Sequence, residues 1–108
     1  MTRFLIVQTG DFAEAWHRLR TGGDETFRDQ KASVEHTEKL SDDFDVTILA
    51  RCGRPYDEQL KHRLRSIGAT EDLFSNRSEL WSLMDALHPD LVAVSTPDPN
   101  TLSWLSRT

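Results

Sequence analysis

The chain holds a single cysteine, Cys52, so no disulfide can close within it and no cysteine-based zinc site can be built from its own residues. Long hydrophobic runs are also lacking. Nothing approaches the roughly 20 apolar residues of a membrane-spanning helix, and the N-terminal Phe4-Leu5-Ile6-Val7 is too short for a secretory signal core. Positive charge is scarce as well: Lys and Arg number 13 against 18 Asp and Glu, a formal net charge of -5. A general nucleic-acid binder needs a basic face that releases counterions, and this balance argues against one. The four histidines, His17, His36, His62 and His88, include no i, i+4 pair, so their spacing suggests no metal site. Together these absences describe one soluble domain spanning residues 1–108, with a cytoplasmic setting expected.

What is present is an alternation of two patterns. Phe4 to Val7, Val46 to Ala50 and Leu91 to Val94 are continuous apolar runs rich in β-branched residues, as expected of strands covered on both faces. Between them, Leu80, Leu83, Met84 and Leu87 recur at helical spacing, with Asn76 and Glu79 as a capping-box-like start and Pro89 just past the end. Leu60, Leu64 and Ile67 predict another helix, opening at Asp57-Glu58 and stopping at Gly68, with Lys61, Arg63 and Arg65 towards its end. A third is expected over Asp24 to Leu40, carrying Phe27, Val34 and Leu40. Residues 10 to 21 read as a long loop, and a short strand is expected within Ala69 to Phe74. Asp98-Pro99-Asn100-Thr101 looks like a helix start, with Leu102, Trp104 and Leu105 on its apolar side. Its short length before Thr108 suggests a piece of something longer. The fold class is therefore α/β, a Rossmann-like open parallel sheet with helices on both faces.

In such sheets, ligands bind beyond the carboxyl ends of the strands. Those ends supply Gln8, Thr9, Gly10 and Asp11, then Arg51 to Arg54, then Ser95 and Thr96. Asp11 is a carboxylate at a strand end, open to general-base work but with no visible partner. Arg54 suits a phosphate or a carboxylate, or solvent alone. The hydroxyls of Ser95 and Thr96 suit a ligand or a cap on the next segment. Cys52 reads as a small buried residue more readily than as a nucleophile, since no base neighbours it in sequence. Gly22-Gly23 would lie between the first strand and the helix after it, where a glycine-rich turn can hold a phosphate. Asp24 and Glu25 follow directly, however, and would compete with an anion for the helix amides. Neither G-x-G-x-x-G nor G-x-x-x-x-G-K-[ST] is present, so no dinucleotide or P-loop cofactor is expected.

Taken in order, VQTG, TGGDET, DVTIL and HPDLVAVST resemble the N-terminal half of a GT-B glycosyltransferase of the family-4 type. The correspondence sets Gly22-Gly23-Asp24-Glu25 against that family's G-G-x-E segment, Asp45 to Leu49 against its second strand, and Pro89 to Val92 against its K-P-D-V-V strand. The turn Ser41 to Asp45 departs from the family by lacking its glycine and histidine. The resemblance implies a sheet ordered 3-2-1-4 and an N-terminal, acceptor-side domain truncated at its C-terminus. It further implies transfer of a sugar from a nucleotide-sugar donor to an unidentified acceptor, with the donor held mainly by a second domain not contained here. Gly22 and Gly23 would then offer backbone N–H groups near the donor phosphates. Gln8, Thr9, Gly10, Asp11, Arg54, Ser95 and Thr96 would face the acceptor. The catalytic residue stays unassigned, and the isolated chain is expected to be inactive. The picture leaves room for peripheral membrane association of a full-length enzyme and for self-association of the fragment. The alternative is a stand-alone flavodoxin-like ligand-binding or interaction module without catalysis, in which Leu102, Trp104 and Leu105 would be buried.

Overall fold

The computed structural model describes residues 1–95 and 97–107. Ten elements succeed one another: β1 (Arg3–Thr9), α1 (Phe12–Arg20), α2 (Gln30–Leu40), β2 (Asp45–Arg51), β3 (Tyr56–Lys61), β4 (Leu64–Ala69), α3 (Glu71–Ser75), α4 (Arg77–Leu87), β5 (Leu91–Val94) and α5 (Pro99–Ser106). The five strands form one sheet in the order β3-β4-β2-β1-β5. β4, β2, β1 and β5 are mutually parallel, and β3 is antiparallel to β4 at one margin. The parallel strands alone thus run 3-2-1-4, inside an α/β fold with helices on both faces.

Because side chains alternate along a strand, each apolar run feeds two cores. Leu5, Val7, Leu49 and Ile67 pack with Phe74, Leu80, Met84 and Trp104, beneath α3, α4 and α5. Ile6, Val46, Ile48, Ala50 and Leu64 pack with Phe12, Ala15, Trp16 and Val34, beneath α1 and α2. α4 starts as its sequence implies, the Asn76 side chain accepting the Glu79 N–H at 3.1 Å. α5 likewise starts at Asp98, which accepts from the amides of Asn100 and Thr101. Trp104 is buried and donates its indole N–H to Asp85 at 2.8 Å, whereas Leu102 stays exposed and Leu105 half-buried.

Four expectations need correction. The helix expected from Asp57 to Gly68 is the hairpin β3–β4. Arg63 turns the chain with a φ of 63°, and Ile67 goes to the opposite face from Leu64. Of the acids and bases that suggested a dipole-matched helix, Asp57 and Arg65 pair across the strands, Arg65 reaching both carboxylate oxygens at 2.8 and 2.6 Å, while Glu58 meets His17 and Lys61 meets Glu38. Second, Ala69 to Phe74 holds no strand: β4 ends at Ala69 and α3 follows. Third, residues 12 to 20 are the helix α1 rather than a loop, with Asp11 accepting the Glu14 N–H at 3.1 Å. Fourth, the next helix starts at Gln30, not Asp24, after a turn through residues 21–29.

The two margins of the sheet differ. β3 presents Asp57, Glu58, Gln59 and Lys61 and carries an irregularity between Gln59 and Lys61. β5 is uncharged, pairs among the described residues with β1 alone, and leaves Leu91 45% exposed.

Candidate functional site

β1 lies where the winding of the sheet reverses. Its chain leaves through α1 and α2 across one face to reach β2, while β5 arrives on its other flank from α3 and α4 on the opposite face. A crevice opens at such a point because the flanking connections diverge. Here a cavity of about 270 Å³ sits at the carboxyl ends of β1 and β5. Gln8, Thr9, Gly10, Asp11 and Ser95 line it, together with Gln30, Ser33 and Phe27 from the turn and from α2. Five of the residues singled out from strand ends therefore meet in one hollow. Thr96, singled out with them, lies outside the described residues.

Arg54 does not line this hollow but controls its border. Its guanidinium spans both Asp11 oxygens at 2.9 and 3.1 Å and lies 4.2 Å from the Tyr56 ring centroid. The Tyr56 hydroxyl accepts the Ala13 N–H at 3.2 Å and shares a hydrogen bond with the buried Ser66 hydroxyl at 2.8 Å. Burial pushes the Asp11 carboxyl up, but hydrogen bonds from Arg54 and the Glu14 amide, with the guanidinium charge, outweigh it and hold it below the usual carboxylate range. Asp11 is thus a stable anion with a low proton affinity. That suits capping and hydrogen bonding, and makes a weak general base at neutral pH.

Gly22 and Gly23 are placed differently from the expectation. They follow the end of α1, not the start of a helix. Gly22 has a φ of 84° and its N–H donates to the Leu19 carbonyl, while the Gly23 N–H donates to the Arg18 carbonyl at 2.8 Å. This crossed pair of bonds is the Schellman arrangement that closes a helix C-terminus. Both amides are engaged by carbonyls, and the negative end of the helix faces them. Neither glycine lines the crevice. The expected phosphate contact at Gly22 and Gly23 therefore has no free donors to form it.

Arg18 organises the turn that follows. It bonds Glu14 at 2.7 Å, the Asp24 carbonyl, and the Gln30 side chain at 3.2 Å. Gln30 is 7% exposed and its amide oxygen also accepts the Thr26 N–H at 3.0 Å. Glu25 accepts the Lys31 N–H at 2.6 Å, so an acid does fill the start of α2, though from outside the helix. Held this way, the turn carries Phe27 over the crevice with 62% of its surface exposed. Sequence reading took Phe27 for a core residue of a helix. Its isolation among Thr26, Arg28 and Asp29 was the available signal of an exposed ring.

A second hollow of about 500 Å³ adjoins at the ends of β2 and β4, lined by Thr9, Arg51, Cys52, Gly53 and Thr70. Cys52 is half-buried and its thiol donates to the Arg54 carbonyl at 3.3 Å. Arg51, placed by the sequence at a strand end without an assigned role, bonds Glu71 through two nitrogens at 2.6 Å each and lies over the Phe74 ring. Other hollows exist, one at the amino ends of the strands beside Arg65 and one between α1 and α2. The first faces the C-terminal end of α4, and neither lies at the point where the winding reverses. Among the described residues no group of three His, Cys, Asp or Glu side chains is placed to hold a metal, and no helix is long and apolar enough to cross a membrane.

Compared with protein-family models, curated proteins and solved structures, the chain matches none of them.

Proposed function

We propose that this chain is the acceptor-side domain of a sugar-transferring enzyme and that its crevice seats a neutral, hydroxyl-rich ligand. One observation carries the reading: the hollow at the winding reversal combines amide and hydroxyl groups from Gln8, Thr9, Gln30, Ser33 and Ser95 with the exposed ring of Phe27. Hydroxyl-rich molecules need that pairing, since their O–H groups require donors and acceptors while their C–H faces lie flat on an aromatic surface. The order of motifs along the chain agrees with a GT-B N-terminal half, set in the cytoplasm. The nucleotide-sugar donor would be held mainly by another domain, because Gly22 and Gly23 have no amides to offer it. The chain alone is then expected to bind acceptor without turning over UDP- or GDP-sugars.

Ligand-observed saturation-transfer NMR with glucose, mannose and inositol at millimolar concentrations tests this. Transfer to the ring C–H protons is expected, and its loss in Phe27→Ala. Absence of transfer to all three in the folded wild-type chain rejects the reading.

A binding or interaction module without catalysis is favoured by a different observation. Asp11 is the single ionisable side chain among the described residues lining the crevice, and Arg54 holds it as a weak base. The two readings separate on the donor. Joined to a donor-holding domain, with acceptor saturating the crevice, a transferase half consumes an added sugar nucleotide, and a plain module leaves it intact.

A further inference from the structure

We propose that Arg51 forms an anion subsite beside the crevice, so that the ligand is a phosphate ester of a hydroxyl-rich molecule. This rests on the crevice reading above and names the class of ligand it takes. The two hollows share Thr9, at the tip of β1, and lie side by side along the carboxyl ends of β5, β1, β2 and β4. Arg51 closes β2 in register with Thr9 and lies 5.1 Å from the centroid of the buried Phe74 ring. Strand and ring therefore hold the guanidinium at the mouth of this hollow, and the Glu71 fork completes its placement. Glu71 is the looser partner: its side chain is 69% exposed against 25% for Arg51. The pair is bidentate and so stronger than most exposed pairs, which means an incoming anion displaces Glu71 only by offering the same two-oxygen fork. A guanidinium fork accepts two phosphate oxygens as readily as two carboxylate oxygens. The Thr70 side chain makes no cap hydrogen bond, and the space above Gly53 is open, so there is room and a hydroxyl beside the fork. Asp72 also lines the hollow, and Asp98 lies close enough to act on the Arg51 charge. Neither is bonded to Arg51, so Glu71 is the carboxylate that an incoming phosphate displaces.

Calorimetric titration with glucose, its phosphate monoester and inorganic phosphate tests the assignment in the wild-type chain, Arg51→Gln and Glu71→Gln. The ester is expected to bind about tenfold more tightly than glucose, the scale of one added charge-assisted hydrogen-bonded pair. That advantage should vanish in Arg51→Gln and grow in Glu71→Gln, which removes the competitor while keeping its shape. Thermal melts of both variants show whether each remains folded. Equal affinity for sugar and ester in the wild type and in Glu71→Gln overturns the subsite and leaves the crevice reading standing. Failure of both ligands to bind the wild type overturns the two together. An ester advantage that survives in Arg51→Gln overturns the assignment to Arg51.

Discussion

The guanidinium of Arg54 is forked across both carboxylate oxygens of Asp11, at 2.9 and 3.1 Å, while the same carboxylate caps α1 through the Glu14 amide. One side chain thus ties the loop after β2 to the start of the first helix. Asp11→Ala should cost about 1 kcal/mol for the lost cap and somewhat more for the unpaired Arg54. Asp11→Asn, which can still cap, should cost less. The Asp11 carboxyl is depressed in the folded chain, so its contribution is fully present above the unfolded carboxylate value of about 4 and is lost as pH falls through the folded value. Thermal melts should therefore show a stability gap between wild type and Asp11→Asn that is constant from neutrality to mild acid. Below about pH 4 the gap should close. A gap that widens in acid contradicts the assignment.

Gly22→Ala should destabilise the chain by about 1 kcal/mol, because the residue sits in the left-handed region. Gly23→Ala should cost more. Its added Cβ would lie 2.5 Å from Arg18 Cγ and 2.8 Å from the Arg18 carbonyl oxygen, and the second neighbour is backbone. Urea midpoints should fall in both variants at unchanged m. Glucose affinity of the folded fraction should not move, which separates a helix terminator from a ligand loop.

Gly68 lies under the Tyr56 ring, and a Cβ there would collide with the ring carbons and with the Arg54 carbonyl oxygen. Gly68→Ala is expected to cost about 1–3 kcal/mol through overpacking. Tyr56→Phe keeps the ring and removes only the hydroxyl bonded to Ala13 and Ser66, so a loss of about 1 kcal/mol is expected. Denaturation curves that rank these two variants in the reverse order would argue against the packing described.

Trp104→Ala should cost roughly 3 kcal/mol or more, since a buried indole is removed. Trp104→Phe, which retains a ring but not the bond to Asp85, should lose less. Hydrogen exchange over α5 reports the effect directly: fast exchange confined to residues 99–106 in the alanine variant marks loss of docking without global unfolding.

Much of the sheet was legible because its signal is local. Runs such as Phe4 to Val7 and Val46 to Ala50 need two covered faces wherever they occur, and Asn76 and Asp98 cap helices with their own side chains. The hairpin was not legible for the opposite reason. Leu60, Leu64 and Ile67 fit a helical period by coincidence, and what overrides it is non-local: the Arg65–Asp57 pair and the pairing of β4 with β2. Gly68, which reads as the stop of that helix, lies instead within β4 under the Tyr56 ring. α1 was not legible although Asp11 and Glu14 stand at capping distance ahead of Trp16 and Leu19, because the paired glycine reads equally as the opening of the next helix. A glycine pair ends helices as readily as it precedes them, and only the carbonyls of Arg18 and Leu19 decide which. At the site, strand-end positions followed from fold class alone. The roles of Arg51 and Phe27 did not, since they depend on what α3 and the 21–29 turn bring near.

The unequal margins of the sheet give the domain a direction of growth. At β3, charged side chains and a broken register make an added strand unwelcome. At β5, an uncharged strand has, among the described residues, a free side next to the crevice. Any strand that joins this sheet, from further along a polypeptide or from another molecule, would join at β5 and become a wall of the crevice. Assembly and ligand access are then coupled by geometry: whatever completes the sheet also reshapes the mouth of its binding site.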